Sequence, residues 1–403
     1  MNALREAPAV VISRAARLPD PARVALYRRA PELGPRLLFF SGGSALRELS
    51  EVLVDYTHNS IHLITPFDSG GSSAVLRQAF AMPAVGDVRN RIMALADRTI
   101  TGNPAVFALF AYRLPKDEAQ AALVGRLARM ESGEDPLVRR VPDPLRKIIR
   151  MHLHFFEAER PVDFDLRGAS IGNCILTGGY LNYHRKLDPV IYLFMKLVEA
   201  RGVVRPIVNA NLHLACELAD GRVVVGQHRM TGKEAAPLDA PITRLWLAAT
   251  LDDPSPVAVS IRNKNVSLIE SADVICYPYG SFFSSLLANL LPKGVAASVA
   301  ATACPKVYIP NLGHDPEQLG LTGAAQAARI LDTLRAGCDG DCPRERLLRF
   351  VLVDTVGGRY ANRLDVEGLR RLGLEVLDAP LARADNPERF DPRRVAEVLL
   401  SLA

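Results

Sequence analysis

Between residues 41 and 90 the sequence holds three small polar stretches: Ser41-Gly42-Gly43-Ser44, Asp68-Ser69-Gly70-Gly71-Ser72-Ser73 and Gly86-Asp87-Val88-Arg89-Asn90. Glycine lets a backbone turn tightly and brings its N–H groups close to an oxygen. A helix amino end adds unpaired N–H groups and partial positive charge, and serine hydroxyls donate as well. Arg77 and Arg89 suit phosphate oxygens. Together these groups describe an anion site. Asp68 stands apart, because a carboxylate repels phosphate unless a cation lies between them. That points to Mg2+ or to a proton-accepting role. The plainer reading makes the glycine pairs ordinary turns and Asp68 a helix cap. Two such loops with a Gly-Asp-x-Arg-Asn turn nearby favour a ligand site.

The elements that must position these loops follow from hydrophobic spacing. Leu37, Leu38, Phe39 and Phe40 read as a buried strand, and Ala45, Leu46, Leu49 and Val52 fall at helical spacing. A second strand spans Ser60 to Thr65, and the turn at Val85–Asn90 opens a helix through Ala96. All three loops are expected at the carboxyl ends of adjacent strands, where open α/β sheets bind ligands. Farther on, Ser170 and Asn173 stand where a glycine-rich helix begins. A strand over Ala272–Tyr277 breaks at Pro278-Tyr279-Gly280-Ser281, and a helix through Leu291 follows, which makes a fourth candidate anion nest. The strand Lys306–Ile309 leads to Asn311, Gly313, His314 and Asp315. Helices are expected over 118–129 and 145–157, from Asp188-Pro189 to Ala200, and over 321–334. Strands are expected over 205–210, 347–353 and 374–377, with a hairpin turning at Ala219-Asp220-Gly221. Residues 244–266 read as a stretch rich in proline and aspartate.

The 403 residues are 49% hydrophobic with a net charge of +5, ample for a packed core. The positive charge is interleaved with acids and aromatics are sparse, so no nucleic-acid stripe is present. Residues 1–36 form a basic, proline-containing amino-terminal arm with Arg14, Arg17, Arg23, Arg28 and Arg29. It is expected either to lie over the core or to bind a partner. Six cysteines without a leading signal peptide point to reduced thiols and a cytoplasmic location. Cys338-Asp-Gly-Asp-Cys342 lacks a second Cys or His pair, which favours a loop over a zinc clip. His152 and His154 lie two apart on a helix and face different sides, so both read as structural. No apolar run is long enough to span a bilayer.

In these motifs, taken in order, the chain resembles the CofD-like superfamily. Its members include the 2-phospho-L-lactate transferase of coenzyme F420 synthesis and the YvcK-type regulators, also called gluconeogenesis factors. The likeness runs through Ser41–Ser44, Asp68–Ser73, Gly86–Asn90, Ser170-Ile-Gly-Asn173, Gly280-Ser281 with Ser284-Ser285, and Asn311. Pro19-Asp20-Pro21 and Leu38-Phe-Phe-Ser-Gly-Gly43 resemble the CofD-like proteins of GAK systems. The resemblance implies one α/β unit over 37–403, a Rossmann-like, mostly parallel sheet with an inserted helical and β-hairpin subdomain at about 100–270. It implies a pocket where the loops at 41–44, 68–73, 86–90, 170–173, 278–285 and 311 converge. The ligand implied is a GDP- or UDP-type nucleotide-diphosphate compound, with Mg2+ at Asp68. The reaction implied is transfer of a phospholactyl group. The alternative is a YvcK-like sensor without turnover. A homodimer and GAK-type partner proteins belong to the same expectation. Two departures stand out. The family's second loop carries two aspartates where this chain has Asp68 and Ser69, and its Gly-Pro-Gly-Ser loop is here Pro278-Tyr279-Gly280-Ser281. Asp87 is the nearest other acid that could replace the missing carboxylate.

Overall fold

The computed structural model describes residues 17–99, 102–232, 234–338 and 340–403. Its centre is β1 (Leu37–Ser41), in which Leu37 to Phe40 are each 0% exposed. A strand buried on both faces needs such an unbroken apolar run, and parallel strands covered by helices have it. β1 pairs in parallel with β2 (Ile61–Ile64) on one side and with β7 (Val274–Tyr277) on the other. The remaining parallel strands are β3 (Val203–Pro206), β8 (Lys306–Tyr308), β9 (Phe350–Val353) and β10 (Glu375–Asp378), which give a seven-stranded sheet in the order β10-β9-β8-β7-β1-β2-β3. After β1 the chain builds outward toward β3, and from β7 it builds toward β10. The strand order therefore reverses between β1 and β7, where the loops that follow these two strands diverge and open a crevice.

Helices of the first part are α1 (Pro21–Arg29), α2 (Arg47–Leu53), α3 (Gly71–Phe80), α4 (Gly86–Ala94), α5 (Pro104–Ala111), α6 (Gln120–Ser132), α7 (Pro136–Arg139), α8 (Leu145–Glu159), α9 (Ile171–Asn182) and α10 (Leu187–Leu197). The antiparallel sheet consists of β4 (His213–Leu218), β5 (Val223–Val225) and β6 (Ile242–Ala248), in the order β5-β4-β6. It covers one face of the main sheet, where Leu214, Leu218 and Leu247 join Phe40, Leu63 and Tyr277 in one core. The opposite face, with Phe39 and Cys276, is covered by α2 and the carboxyl-terminal helix Pro392–Ser401. Among the described residues no helix is long and apolar enough to cross a membrane.

Three expectations change in detail, and the arm takes one of the two places expected for it. β3 pairs with β2 inside the stretch expected as one insertion, so 100–270 holds two additions, the helices α5–α10 and the antiparallel sheet. The proline- and aspartate-rich stretch contains β6, which is the longer partner of β4. The loop at 86–90 follows α3 with no strand between them, so only the first two polar loops leave strand ends. It reaches the site because the Ala84 N–H bonds to the Pro66 carbonyl at 3.0 Å, behind β2. From Arg17 onward the arm lies over the core: Leu18, Val24 and Tyr27 pack with the carboxyl-terminal helix, and the Asp20 N–H donates to Ser401 Oγ. Arg14 lies outside the described residues.

The glycines of α9 are what lets it enter the helical subdomain. A Cβ on Gly178 would sit 1.7 Å from the His152 carbonyl oxygen of α8, and one on Gly172 2.5 Å from the Phe110 carbonyl of α5. His152 is buried on α8, which pushes its imidazole down to about 4, whereas His154 points outward to Glu131. The two histidines thus face apart, as their spacing requires. Gly178→Ala should destabilise the protein by about 3 kcal/mol or more, because a backbone carbonyl cannot step aside. Gly125→Ala, in α6, meets nothing nearer than 3.7 Å and should stabilise by about 0.5–1 kcal/mol through lost unfolded-state entropy. Thermal melts of the two variants should move in opposite directions.

Candidate functional site

The first glycine loop is shaped from beneath by Arg91. Its guanidinium is almost fully buried and donates to the carbonyls of Leu46 (2.7 Å), Gly42 (3.2 Å) and Gly43 (3.4 Å), and to Ser50 Oγ. A trans peptide points its C=O and the next N–H in opposite directions. With the Gly42 and Gly43 carbonyls held down by Arg91, the Gly43 and Ser44 N–H groups face the other way, toward the crevice. The Gly43 N–H meets Asp87 Oδ2 at 2.8 Å. Asp87 and Arg91 lie four apart on α4, so one face of that helix holds both sides of the loop. Burial lowers the Arg91 pKa to about 10, and Asp87 opposes the shift.

The second loop leaves β2 and turns into α3. Asp68 Oδ1 accepts the Gly70 N–H at 3.1 Å, an Asx turn that fixes the entry into the helix. Gly71 has φ +47°, a left-handed conformation that glycine adopts without strain. Arg77 does not face the crevice. It is buried and donates to the carbonyls of Phe67, Asp68 and Leu212 and to Asn211 Oδ1, so it ties the loop to the approach to β4. Ser69 occupies the position of the family's second aspartate. Its Oγ accepts the His228 backbone N–H (3.2 Å) and lies 2.8 Å from His228 Nδ1. Ser69 and His228 are thus joined by two contacts, which hold the ring beside the second loop. Glu234 reaches over the amino end of α3, where a Cβ on Gly70 would meet its Oε1 at 2.6 Å.

These loops enclose a cavity of about 720 Å³. Ser41, Gly42, Gly43 and Ser44 line it, as do Asp68, Gly70, Gly71, Ser72 and Ser73. Asp87, Arg89 and Asn90 come from α4, Ser170 and Asn173 from the start of α9, and Gly280 and Ser281 from the turn after β7. Ser170 caps α9 by accepting the Asn173 N–H. Three buried atoms in this lining lack a hydrogen-bond partner: Ser41 Oγ, Arg89 Nε and Asn173 Oδ1. Buried polar groups are normally paired, so three orphans among the residues of one lining are unusual.

Two expected residues do not reach the cavity. Asn311 sits behind the turn, where Oδ1 accepts the Gly280 N–H and Nδ2 donates to the Gly280 carbonyl. Ser284 is buried with its N–H and hydroxyl on Glu317, and Ser285 lines the wall instead. The expected fourth anion nest is real but filled from within. The Phe282 N–H donates to Asp315 Oδ2 (2.9 Å), and those of Phe283 and Ser284 to Glu317 Oε2 (2.8 Å each). Tyr279 lines the cavity while its ring lies against Phe390 at 4.7 Å.

Several lining residues were not singled out from sequence. Gln227, His228, Thr231 and Glu234 follow β5, and Arg113, Lys116 and Arg167 edge the helical side. All are common surface types with no local signature, and only the fold brings them here. Among the described residues no group of three or more His, Cys, Asp or Glu is placed to hold a metal ion. Asp68 and Asp87 are the carboxylates at the inner loops. Mg2+ usually takes one or two protein carboxylates and completes its shell with waters and phosphate oxygens. The donor set fits an ion that arrives with a diphosphate.

A sequence profile described as 2-phospho-L-lactate transferase CofD matches residues 37–382. The gluconeogenesis factor of Bacillus subtilis is 27% identical over 378 residues, 91% of this chain and 98% of its own. That of Halalkalibacterium halodurans is 26% identical over 374 residues, 90% of this chain and 95% of its own. In fold, the chain is similar to a crystal structure of a UPF0052 family protein from Bacillus halodurans, with a TM-score of 0.66 at 23% identity, covering 91% of this chain and 99% of that one.

The filled nest has a pH signature. Burial first, and then Asp315, pushes the Glu317 carboxyl up to about 7 from the ordinary 4.5. The folded state therefore keeps a proton that the unfolded chain has lost, so this group's contribution falls as pH rises from about 4.5 through 7. In Glu317→Gln the amide oxygen can accept both N–H groups while its NH2 donates to Ser284 Oγ, as a protonated carboxyl would. The variant should melt close to wild type at pH 5 and above it at pH 8. Parallel melting curves across that range would contradict the assignment.

Proposed function

The chain belongs to the CofD family, and from that membership we propose that its cavity binds a nucleoside-diphosphate-linked compound and transfers a phosphate-linked group from it to an acceptor. The observation that carries this reading is the set of orphaned buried atoms, Ser41 Oγ, Arg89 Nε and Asn173 Oδ1, around outward-facing loop amides. The Gly43-Ser44 amides and the amino end of α3 suit a diphosphate, and Ser72 and Ser73 add hydroxyl donors. Asp68 is the residue that would hold Mg2+, which supplies neutralisation of the charge developing on the departing nucleotide. Arg89 contributes fixed positive charge from the chain itself. His228 lines the same space, its ring held by Ser69.

The gluconeogenesis-factor relatives support a second reading, a nucleotide sensor without turnover. The observation that favours it is Ser69, whose hydroxyl is spent on His228 where the transferase pattern has a carboxylate.

Three variants test these readings. The nearest atom to a Cβ on Gly43 is Asp87 Oδ1 at 3.9 Å, so Gly43→Val adds bulk to the cavity without a clash and should abolish nucleotide binding with the melting temperature unchanged. Asp68→Asn keeps the acceptor for Gly70 and removes the charge. Calorimetric titration of GDP and UDP with Mg2+ should give much weaker binding to Asp68→Asn, with chelator equal or tighter binding. Equal affinities under both conditions would leave the sensor. Glu234→Gln removes an anion from the helix end and should tighten binding roughly two- to fivefold, the scale of one helix-dipole interaction.

A further inference from the structure

We infer that the edge of the main sheet at β3 is a docking groove for an acidic amphipathic helix of a partner protein. β3 is the end strand and pairs only with β2 among the described residues. α10 covers one face of it, where Val204 joins Phe194 and Leu197 in one core. The helix Asn263–Glu270 covers the other face, where Val203 packs on the core that holds Ile269. The two helices stand apart at the edge and leave a groove of about 1440 Å³, against about 720 Å³ at the glycine loops. Val203 and Val204 line its floor, with Ile191, Tyr192 and Met195 on one wall and Leu268 on the other. Tyr192 is 60% exposed.

An open sheet edge invites a further strand, but this one is blunted. The Val203 N–H bonds to the Ser60 carbonyl and the Ile207 N–H to the Ile64 carbonyl. Val203 and Ile207 therefore turn toward β2, and Val204 and Pro206 turn outward. Pro206 has no N–H, and its carbonyl takes Asn265 Nδ2 at 3.0 Å. The Val204 N–H is spent on Met195 Sδ at 3.4 Å. An added strand would find no free donor here. A helix satisfies its own backbone and needs only side-chain contact, and it is a common cover for a sheet edge. The wall on the α10 side runs from Asp188 to Glu199, a length that faces about three helical turns.

The charge pattern defines the partner. Asp97 pairs with Arg201, and Asp188 with both Arg205 and Arg262, so these groups are neutralised within the chain. Lys196 and Lys264 stand exposed on opposite walls and make no ion pair among the described residues. Lys196 lies over the Tyr192 ring at 5.7 Å. Glu199 is the one acid of this lining outside an ion pair, and it accepts from Asn103 Nδ2 at 3.2 Å. At the lower end the His58 N–H donates to the Pro31 carbonyl, and Arg36 Nη1 to the Ser271 carbonyl at 3.3 Å. The arm thus closes that end and adds the exposed Arg36, with Leu33 76% exposed on the same short segment. An apolar floor between cations fits a helix with an apolar face bordered by carboxylates. The chain's own residues 1–16 have the opposite balance, two arginines and one glutamate.

The probe is a fluorescein-labelled peptide of about five helical turns, with leucine along one face and glutamate on the others. A scrambled peptide of the same composition is the control. In anisotropy titrations at physiological salt, the full chain should bind the amphipathic peptide about tenfold tighter than the scrambled one. Lys196→Glu/Lys264→Glu changes two exposed positions and should leave the melting temperature unchanged. It should weaken that binding about tenfold and instead take the peptide with lysine in place of glutamate. Tyr192→Ala keeps every charge and should weaken both peptides severalfold, because the apolar wall is lost. Equal affinity for the amphipathic and scrambled peptides, or unchanged affinity in the double variant, overturns the inference. A wild-type dimer in light scattering that the double variant dissociates also overturns it, since a second copy is then the occupant. Peptide binding that tightens about tenfold once residues 1–16 are removed does the same, since the chain's own amino end then fills the groove.

Discussion

The site depends on one buried cation beneath the first loop. Arg91 takes a full charge out of water, a cost met here mostly by backbone carbonyls. Those carbonyls cannot turn away without leaving the guanidinium unsatisfied. The loop is therefore held in the one arrangement that presents its amides to the crevice. A glycine-rich loop on its own would sample many conformations, since glycine is the least restrained residue. The flexibility lets the loop adopt the shape, and Arg91 then removes it. Pre-organisation of this kind lowers the ordering cost of binding.

Much of this architecture is legible in the sequence, for a physical reason. β1 and β7 are short apolar runs ended by serine or proline, and burial on both faces leaves such runs no other role. The loop after β1, the start of α4 and the Ser170 cap of α9 are local features, so local patterns reveal them. β6 is less legible, because Thr243 and Arg244 are exposed on it and its partner lies beyond a turn and a loop. Arg91 is invisible in the same way: an arginine in a polar helix reads as surface, and only the packing of α4 under β1's loop buries it. His228 and Glu234 come to the cavity through the antiparallel sheet, a contact between residues distant in sequence. Ser284 and Asn311 were misplaced by one shell. Their residue types suit a ligand, but Glu317 and Gly280 claim them first.

The same competition separates a ligand nest from a structural one. Three positions offer upturned amides at a loop or helix start, and at each a carboxylate of the chain already approaches. At Phe282–Ser284 the acids are Asp315 and Glu317, both buried, and they bond every leading amide. Displacing them would leave two buried acids without the amides that satisfy them, so that nest stays closed and serves to fix the turn at Gly280. At Gly43 the acid is Asp87, in the cavity wall, holding one amide and leaving the Ser44 amide to face the crevice. At α3 it is Glu234, exposed and attached to a loop, with water ready to take back its charge. An anion is exchanged most cheaply where its replacement costs no desolvation. The gradient from buried to exposed acid therefore ranks the three nests, and it puts the amino end of α3 first among them for an incoming phosphate.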